Sequence, residues 1–105
     1  MGFNDLKKTL ISCLKSGHWE IEDRANINEK NLLYTGAVTA EEVIEMVKCC
    51  TGDCHTKSKL SRTISGQTPD VHILKPLGDY KGWYIKFYFI DPNAIIVSVH
   101  ESDKK

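Results

Sequence analysis

The sequence predicts an α+β domain in which N-terminal helices pack on one face of a mostly antiparallel C-terminal β-sheet. In the first half of the chain, apolar residues recur at helical spacing. In the second half they alternate with polar residues, and short turn sequences separate the segments. Helices followed by strands are typical of a fold with one layer of each. With 105 residues the chain has the length of a single domain, so we expect one domain covering 1–105.

Two long helices are predicted in the N-terminal half. Asn4 is the expected N-cap of the first, whose apolar stripe runs to the stop signal at Gly17. The second begins at Thr39, because Thr39 and Glu42 have the spacing of a capping box. Between them, the segment 26–35 is expected to be a short helix or irregular.

The clearest predicted strand covers 83–90. Its odd-numbered residues are apolar and should face the helices, which leaves Tyr84, Lys86 and Tyr88 on the opposite face. A turn at 91–93 should join it in an antiparallel hairpin to a last strand. The segment 18–22 is expected to be a short strand or an extended connector, and a further strand is expected near 71–74. Along the last strand, 94–100, the residues Ile95, Val97 and Val99 should share one face.

Net charge does not separate the chain from ordinary globular proteins, because it is formally zero. The halves differ, however. Residues 1–54 contain six Lys/Arg and nine Asp/Glu, a net of −3, and residues 55–105 contain eight and five, a net of +3. This asymmetry indicates either a solvated surface or a face that meets phosphate. Since no signal peptide or membrane span is recognisable, we expect a cytoplasmic location, no membrane partner and reduced cysteines.

The face that carries Tyr84, Lys86 and Tyr88 is the first candidate for RNA binding. Aromatic rings can stack on unpaired bases while a lysine holds phosphate. Tyrosines on a solvent face also pack across strands without any ligand, which is the alternative interpretation. His72 and His100 are expected on the same surface, because each alternates with the apolar residues of its own strand.

A basic segment after the second helix is the second candidate for RNA contacts. His55, Lys57, Lys59 and Arg62 occur within eight residues without an acidic residue among them. An edge strand that carries lysines against aggregation explains the segment equally well. Lys75, one residue beyond the pattern of the sheet surface, is a further RNA-binding candidate.

The cysteines suggest a metal site only weakly. Cys49, Cys50, Cys54 and His55 lie close together in sequence, but they do not form the two well-spaced ligand pairs that zinc usually takes. Free thiols at a helix end are favoured, so we expect no metal and no cofactor. A small metal-binding domain using these four residues stays as an alternative.

A series of short motifs resembles the motility quorum-sensing regulator (MqsR) family of toxins and, more distantly, other RelE-like domains. The likeness covers most of the chain, in order. The motifs are Leu14-Lys15-Ser16-Gly17-His18-Trp19, Thr51-Gly52-Asp53, Lys57-Ser58, Asp70-Val71-His72, Trp83-Tyr84-Ile85-Lys86 and Ile95-Ile96-Val97-Ser98-Val99-His100.

The resemblance implies a RelE-like messenger-RNA endoribonuclease that a cognate antitoxin protein neutralises. The family's lysine after the middle helix matches Lys57, and its Tyr-x-Lys strand matches Tyr84 and Lys86. Metal-free RNA cleavage needs a base, an acid and a cation at the phosphate, so His72 or His100 is the expected acid or base. The alternative is a non-catalytic RNA- or protein-binding module on the same fold.

The sequence also departs from the family pattern. The segment from Asp53 to Lys57 is one residue longer than the family's and lacks its aromatic residues. Pro69, His72 and His100 stand where the family has glutamine, tyrosine and lysine. The neutral net charge is also unlike the basic toxins of the family.

Overall fold

The structure, a computed structural model, describes residues 2–22, 32–59, 63, 66, 68–90 and 92–101. Of the predicted segment 26–35, only the last four residues lie within these ranges, and they are helical. The elements are helix α1 (Phe3–Ser16), strand β1 (Trp19–Ile21), helices α2 (Leu32–Thr35) and α3 (Ala40–Lys48), and strands β2 (His55–Lys59), β3 (Asp70–Leu74), β4 (Trp83–Ile90) and β5 (Asn93–Glu101).

Helix α1 buries one apolar stripe, in which Leu6 and Leu10 are at most 1% exposed. The helix ends at Gly17, whose left-handed φ of 84° suits a residue without a Cβ atom. The predicted N-cap is wrong: Gly2 holds the cap position and Asn4 lies in the first turn, where its side chain does not cap the helix. Among the described residues, no helix is long and apolar enough to cross a membrane.

The predicted capping box at the start of α3 is confirmed. The Glu42 N–H donates to the Thr39 hydroxyl at 3.2 Å, and the Thr39 N–H donates to the Glu42 carboxylate at 2.9 Å. These two bonds satisfy donors that the first helical turn leaves without partners. The box therefore fixes where α3 begins, with Val43 and Val47 fully buried beneath it.

Replacing the cap residue should destabilise the protein. Thr39→Ala removes the acceptor for the Glu42 N–H, and we expect the free energy of unfolding to fall by about 1 kcal/mol. Urea unfolding followed by circular dichroism measures the change. Glu42→Gln retains an acceptor for the Thr39 N–H and should cost clearly less, so equal losses for the two variants would contradict the capping argument.

The strands form one five-stranded sheet in the order β1-β5-β4-β3-β2. The predicted hairpin of β4 and β5 is present, and β2 and β3 continue the sheet with antiparallel pairing. β1 adds to the other edge in parallel with β5, which the long connection between the two strands permits. The predicted α+β class, with a mostly antiparallel sheet, is confirmed at this level.

The two faces of the sheet have different neighbours. The helix face packs on α1 and α3 and includes Leu74, Ile85 and Phe87, each 0% exposed. The outer face is the opposite side and carries Tyr84 and Lys86, which alternate with those residues along β4. The predicted division of β4 into two faces is therefore confirmed.

A β-bulge overturns the predicted faces of β5. Lys86 pairs with Ser98, but the next residue, Phe87, pairs with Ile96, so Val97 is the extra residue of the bulge. Beyond the bulge the alternation changes phase. Ile96 joins the helix-side core with Val99, and Ile95 and Val97 do not.

Candidate functional sites on the two faces of the sheet

The sheet separates the predicted site residues into two groups. Cross-strand partners lie on the same face of a sheet. Since Lys57 pairs with His72 and His72 pairs with Phe87, both lie on the helix face. His55 and Lys59 follow at alternate positions of β2 and share that face. The outer face holds Tyr84, Lys86, Tyr88 and His100.

The expectation that His72 and His100 share a surface is therefore wrong. Both alternating sets of β3 contain apolar residues, so its sequence does not determine which set faces the core. Pairing with β4 places Leu74 against Ile85 and fixes the phase. His72, two residues before Leu74, consequently lies beside the core and is 8% exposed.

On the outer face, Tyr84, Lys86 and His100 form what we call the outer site. Tyr84 and His100 are cross-strand partners, and their ring centroids lie 4.9 Å apart at an interplanar angle of 35°. Lys86 is two residues along from Tyr84 and pairs with Ser98. Partial burial raises the pKa of the Tyr84 phenol, so the hydroxyl keeps its proton near neutral pH and can donate it. Nδ1 of His100 is buried.

Of the other predicted RNA-binding residues, Tyr88 and Lys75 do not extend this site. Tyr88 lies on the outer face, but it is only 3% exposed, so its ring has no surface on which a base could stack. Lys75 is exposed in the loop after β3, where its backbone N–H donates to the Cys54 carbonyl. Arg62 lies outside the described residues.

On the helix face, His55 and His72 are bonded to each other. His55 Nε2 lies 3.0 Å from His72 Nδ1, so one ring donates a proton and the other accepts it. The His72 ring also packs on Phe87 at a centroid distance of 5.4 Å, and His55 packs on Phe3 at 5.8 Å. Burial, then the proximity of His55, lowers the pKa of His72 to about 4. The pair is neutral at pH 7, and burial of His72 makes it a poor proton carrier for a large substrate.

Beside this pair is an open cavity of about 220 Å³, which we call the helix-face pocket. Two lysines approach one carboxylate at its rim. Asp70 Oδ1 lies 3.0 Å from Lys59 Nζ, and Asp70 Oδ2 lies 3.8 Å from Lys57 Nζ. The hydrogen bond from Lys59 lowers the pKa of Asp70, which is therefore ionised. The described residues that line the pocket are Lys57, Pro69, Asp70, His72 and Phe89.

Sequence reasoning missed Asp70 and Phe89 as members of one site. Phe89 was assigned to a strand, and Asp70 was named only in a motif of the family resemblance. The pocket exists only because β3 and β4 are neighbours that turn their helix faces to the same side. Alternation within β3 would have placed Asp70 with His72. The pairing with β4 had to be known before Phe89 could be added.

Three of the four cysteines, Cys13, Cys50 and Cys54, belong to the hydrophobic core, and Cys49 is partly exposed. Cys50 and Cys54 are 2% and 7% exposed and pack with the buried face of α3. Burial raises the pKa of Cys50 to about 12, so its thiol stays protonated. Among the residues that the structure describes, no three or more His, Cys, Asp or Glu side chains are grouped to hold a metal ion. His55 is directed to His72.

The two sites differ in what they can do. The outer site combines a protonated phenol, an imidazole and an ammonium group on one face, the set that acid–base chemistry at a phosphodiester requires. The helix-face pocket combines charge with an aromatic wall and suits binding. Comparisons of the chain with family models, curated proteins and solved structures find no match.

Proposed function

We propose that the chain is the toxin of a type II toxin–antitoxin pair and cleaves messenger RNA at the outer site without a metal ion. The observation that carries this proposal is the contact between the Tyr84 and His100 rings, tilted at 35° with 4.9 Å between centroids, with Lys86 beside it on the same face. The α+β layering is compatible with the RelE-like fold that the sequence resemblance implies, and that fold identity is part of the proposal.

The proposed reaction uses one group for each proton and one for the charge. His100 takes the proton from the ribose 2′-hydroxyl, and the 2′-oxygen forms a bond to phosphorus. The bond from phosphorus to the 5′-oxygen breaks, and Tyr84 gives its proton to that oxygen. Lys86 stabilises the negative charge that develops on the phosphorane. The products are a 2′,3′-cyclic phosphate and a 5′-hydroxyl.

Purified protein and a labelled RNA test this assignment. We expect cleavage in the presence of EDTA, with cyclic phosphate at the new 3′ ends. Lys86→Ala should slow cleavage about 100-fold, the lower end for a lost charge-stabilising donor, because the outer face is partly open to water. Tyr84→Phe removes the general acid and should also slow cleavage about 100-fold or more. Lys15→Ala removes an exposed lysine from the end of α1 and serves as the matched control.

Several outcomes would contradict the proposal. Intact RNA with the wild-type protein, or full activity in Lys86→Ala, would remove the catalytic claim. RNA that is bound but not cut would favour the non-catalytic binding module instead. The antitoxin part is tested separately: expression should arrest growth, and co-expression of the adjacent gene should restore it.

A further inference from the structure

The helix-face pocket has the size and the walls for one flat ring system. Its volume of about 220 Å³ is below the range of about 300–1,000 Å³ that is common for whole drug-sized ligands. Phe89 and Pro69 supply apolar lining. Phe89 also packs edge-on against Phe87, with ring centroids 5.4 Å apart and an interplanar angle of 73°, which holds the Phe89 ring in place.

The rim of the pocket presents a hydrogen-bond acceptor next to a cationic donor. Lys59 binds Asp70 Oδ1 at 3.0 Å, whereas Lys57 is at 3.8 Å from Oδ2, beyond hydrogen-bond distance. Asp70 Oδ2 can therefore accept a bond from a ligand N–H, and the Lys57 ammonium can donate to a ligand carbonyl. With His72 neutral, the two lysines and one carboxylate give the rim a net charge of +1, which favours an anionic chain.

We propose that the helix-face pocket binds one unstacked nucleobase of RNA, with preference for a keto base, guanine or uracil. A keto base presents a carbonyl beside a ring N–H, which match Lys57 and Asp70 Oδ2. Adenine and cytosine present the reverse order, an amino donor beside a bare ring nitrogen. In the same position, the amino group would face the Lys57 ammonium and the ring nitrogen would face the Asp70 carboxylate, and both contacts are unfavourable. The base lies against Phe89, as unpaired bases do on aromatic side chains. This inference rests on the proposed function and assigns base selectivity to a place away from the cleaving residues.

The sheet edge connects the pocket with the outer site. On the outer face, the neighbour of Lys86 in β3 is Ile73, and the neighbour of Ile73 in β2 is Thr56. At the usual strand spacing, Thr56 lies about 10 Å from Lys86. β2 is the edge strand of the sheet, and Lys57, the residue after Thr56, points to the pocket side. A single-stranded RNA that crosses β3 and β2 can turn around this edge and place a base in the pocket.

Pyrimidine mononucleotides give a matched test, because uridine and cytidine 5′-monophosphates differ only at the keto and amino positions. Each is titrated into the full chain while the ring signals of His72 are followed by NMR. We expect uridine monophosphate to shift these signals and to bind at least about five-fold tighter, the lower end for one well-made base contact. Guanosine and adenosine monophosphates form a second matched pair with the same expected direction.

Variants separate the pocket from the outer site. Asp70→Ala should remove the keto preference, and Phe89→Leu should weaken binding of all four nucleotides. Lys86→Ala, on the outer face, should change neither. Equal binding of uridine and cytidine monophosphates, no shift at His72, or a preference that survives Asp70→Ala would overturn the inference.

The two proposals can fail independently. A keto preference in a protein that never cuts RNA would support the pocket and remove the catalytic proposal. RNA cleavage without any nucleotide effect at His72 would support the outer site and remove the pocket. Because the mononucleotides contain no scissile linkage between nucleosides, the binding measurement does not depend on cleavage.

Discussion

Phe87→Ala should lower the free energy of unfolding by about 3–5 kcal/mol, the usual cost of emptying a buried phenylalanine site. Phe87 is 0% exposed on the helix face, and its ring contacts His72 and Phe89 at centroid distances of 5.4 Å each. The variant loses both the transfer free energy of the ring and the contacts of the cavity walls. Because small domains have about 5–15 kcal/mol of stability in total, this single change removes a large share of it.

Phe89→Ala is the matched control for this prediction. Phe89 lies on the same face of the same strand, two residues away, but is only partly buried. The same chemical change should therefore cost clearly less there. Urea unfolding of both variants measures the difference, with an unchanged slope as the sign that only stability has changed. If Phe89→Ala cost as much as Phe87→Ala, burial on the helix face would not explain the loss.

The sequence predicts the helix face of β4 because only one of its alternating sets is purely apolar. The other set contains Lys86 between Tyr84 and Tyr88, which leaves a single consistent orientation. The capping box of α3 is equally local, since its two partners are three residues apart. Both of these features have their causes within one element, and both were predictable from the sequence.

Features that depend on pairing between elements were not predictable in the same way. In β3, Val71 and Leu74 belong to different alternating sets and both are buried, so apolarity alone gives no phase. In β5, a bulge at Val97 changes the phase midway, and no residue there signals it. In both strands, the residues that face the core were predicted wrongly because they depend on the register with β4. Tertiary packing sets that register.

The positions of the candidate site residues depend on which residues of each strand face the helices. Treating the basic and aromatic residues as one surface was reasonable from composition, but the sheet places Lys57 and His72 on one side and Tyr84 and His100 on the other. The bond between His55 and His72 joins residues 17 apart and requires that β2 and β3 pair in the observed register. Sequence alone therefore supplied the chemistry but not its division into two sites.

Acidification should destabilise the protein through His72. Burial first, and the neighbouring His55 second, hold the folded-state pKa of His72 at about 4, against an ordinary value of 6.5. Below pH 6.5 the unfolded chain binds a proton at this residue that the folded protein does not. Stability is therefore fully present above pH 6.5 and falls as the pH drops towards 4, by up to about 3 kcal/mol. The nearby Lys57 also lowers the pKa of His72, whereas Asp70 raises it.

Urea unfolding at intervals between pH 7 and pH 4 measures this slope, and His72→Phe is the variant that isolates it. A phenylalanine beside Phe87 and Phe89 preserves the ring packing but takes up no proton, so the slope should decrease sharply in that window. If His72→Phe kept the full slope, the acid sensitivity would belong to other groups, and the neutral His55–His72 pair would not be its source. A reduced slope would instead show that His72, in the wall of the helix-face pocket, stays uncharged down to about pH 4. The net positive charge of the pocket at neutral pH then comes from the two lysines, Lys57 and Lys59, which outnumber Asp70.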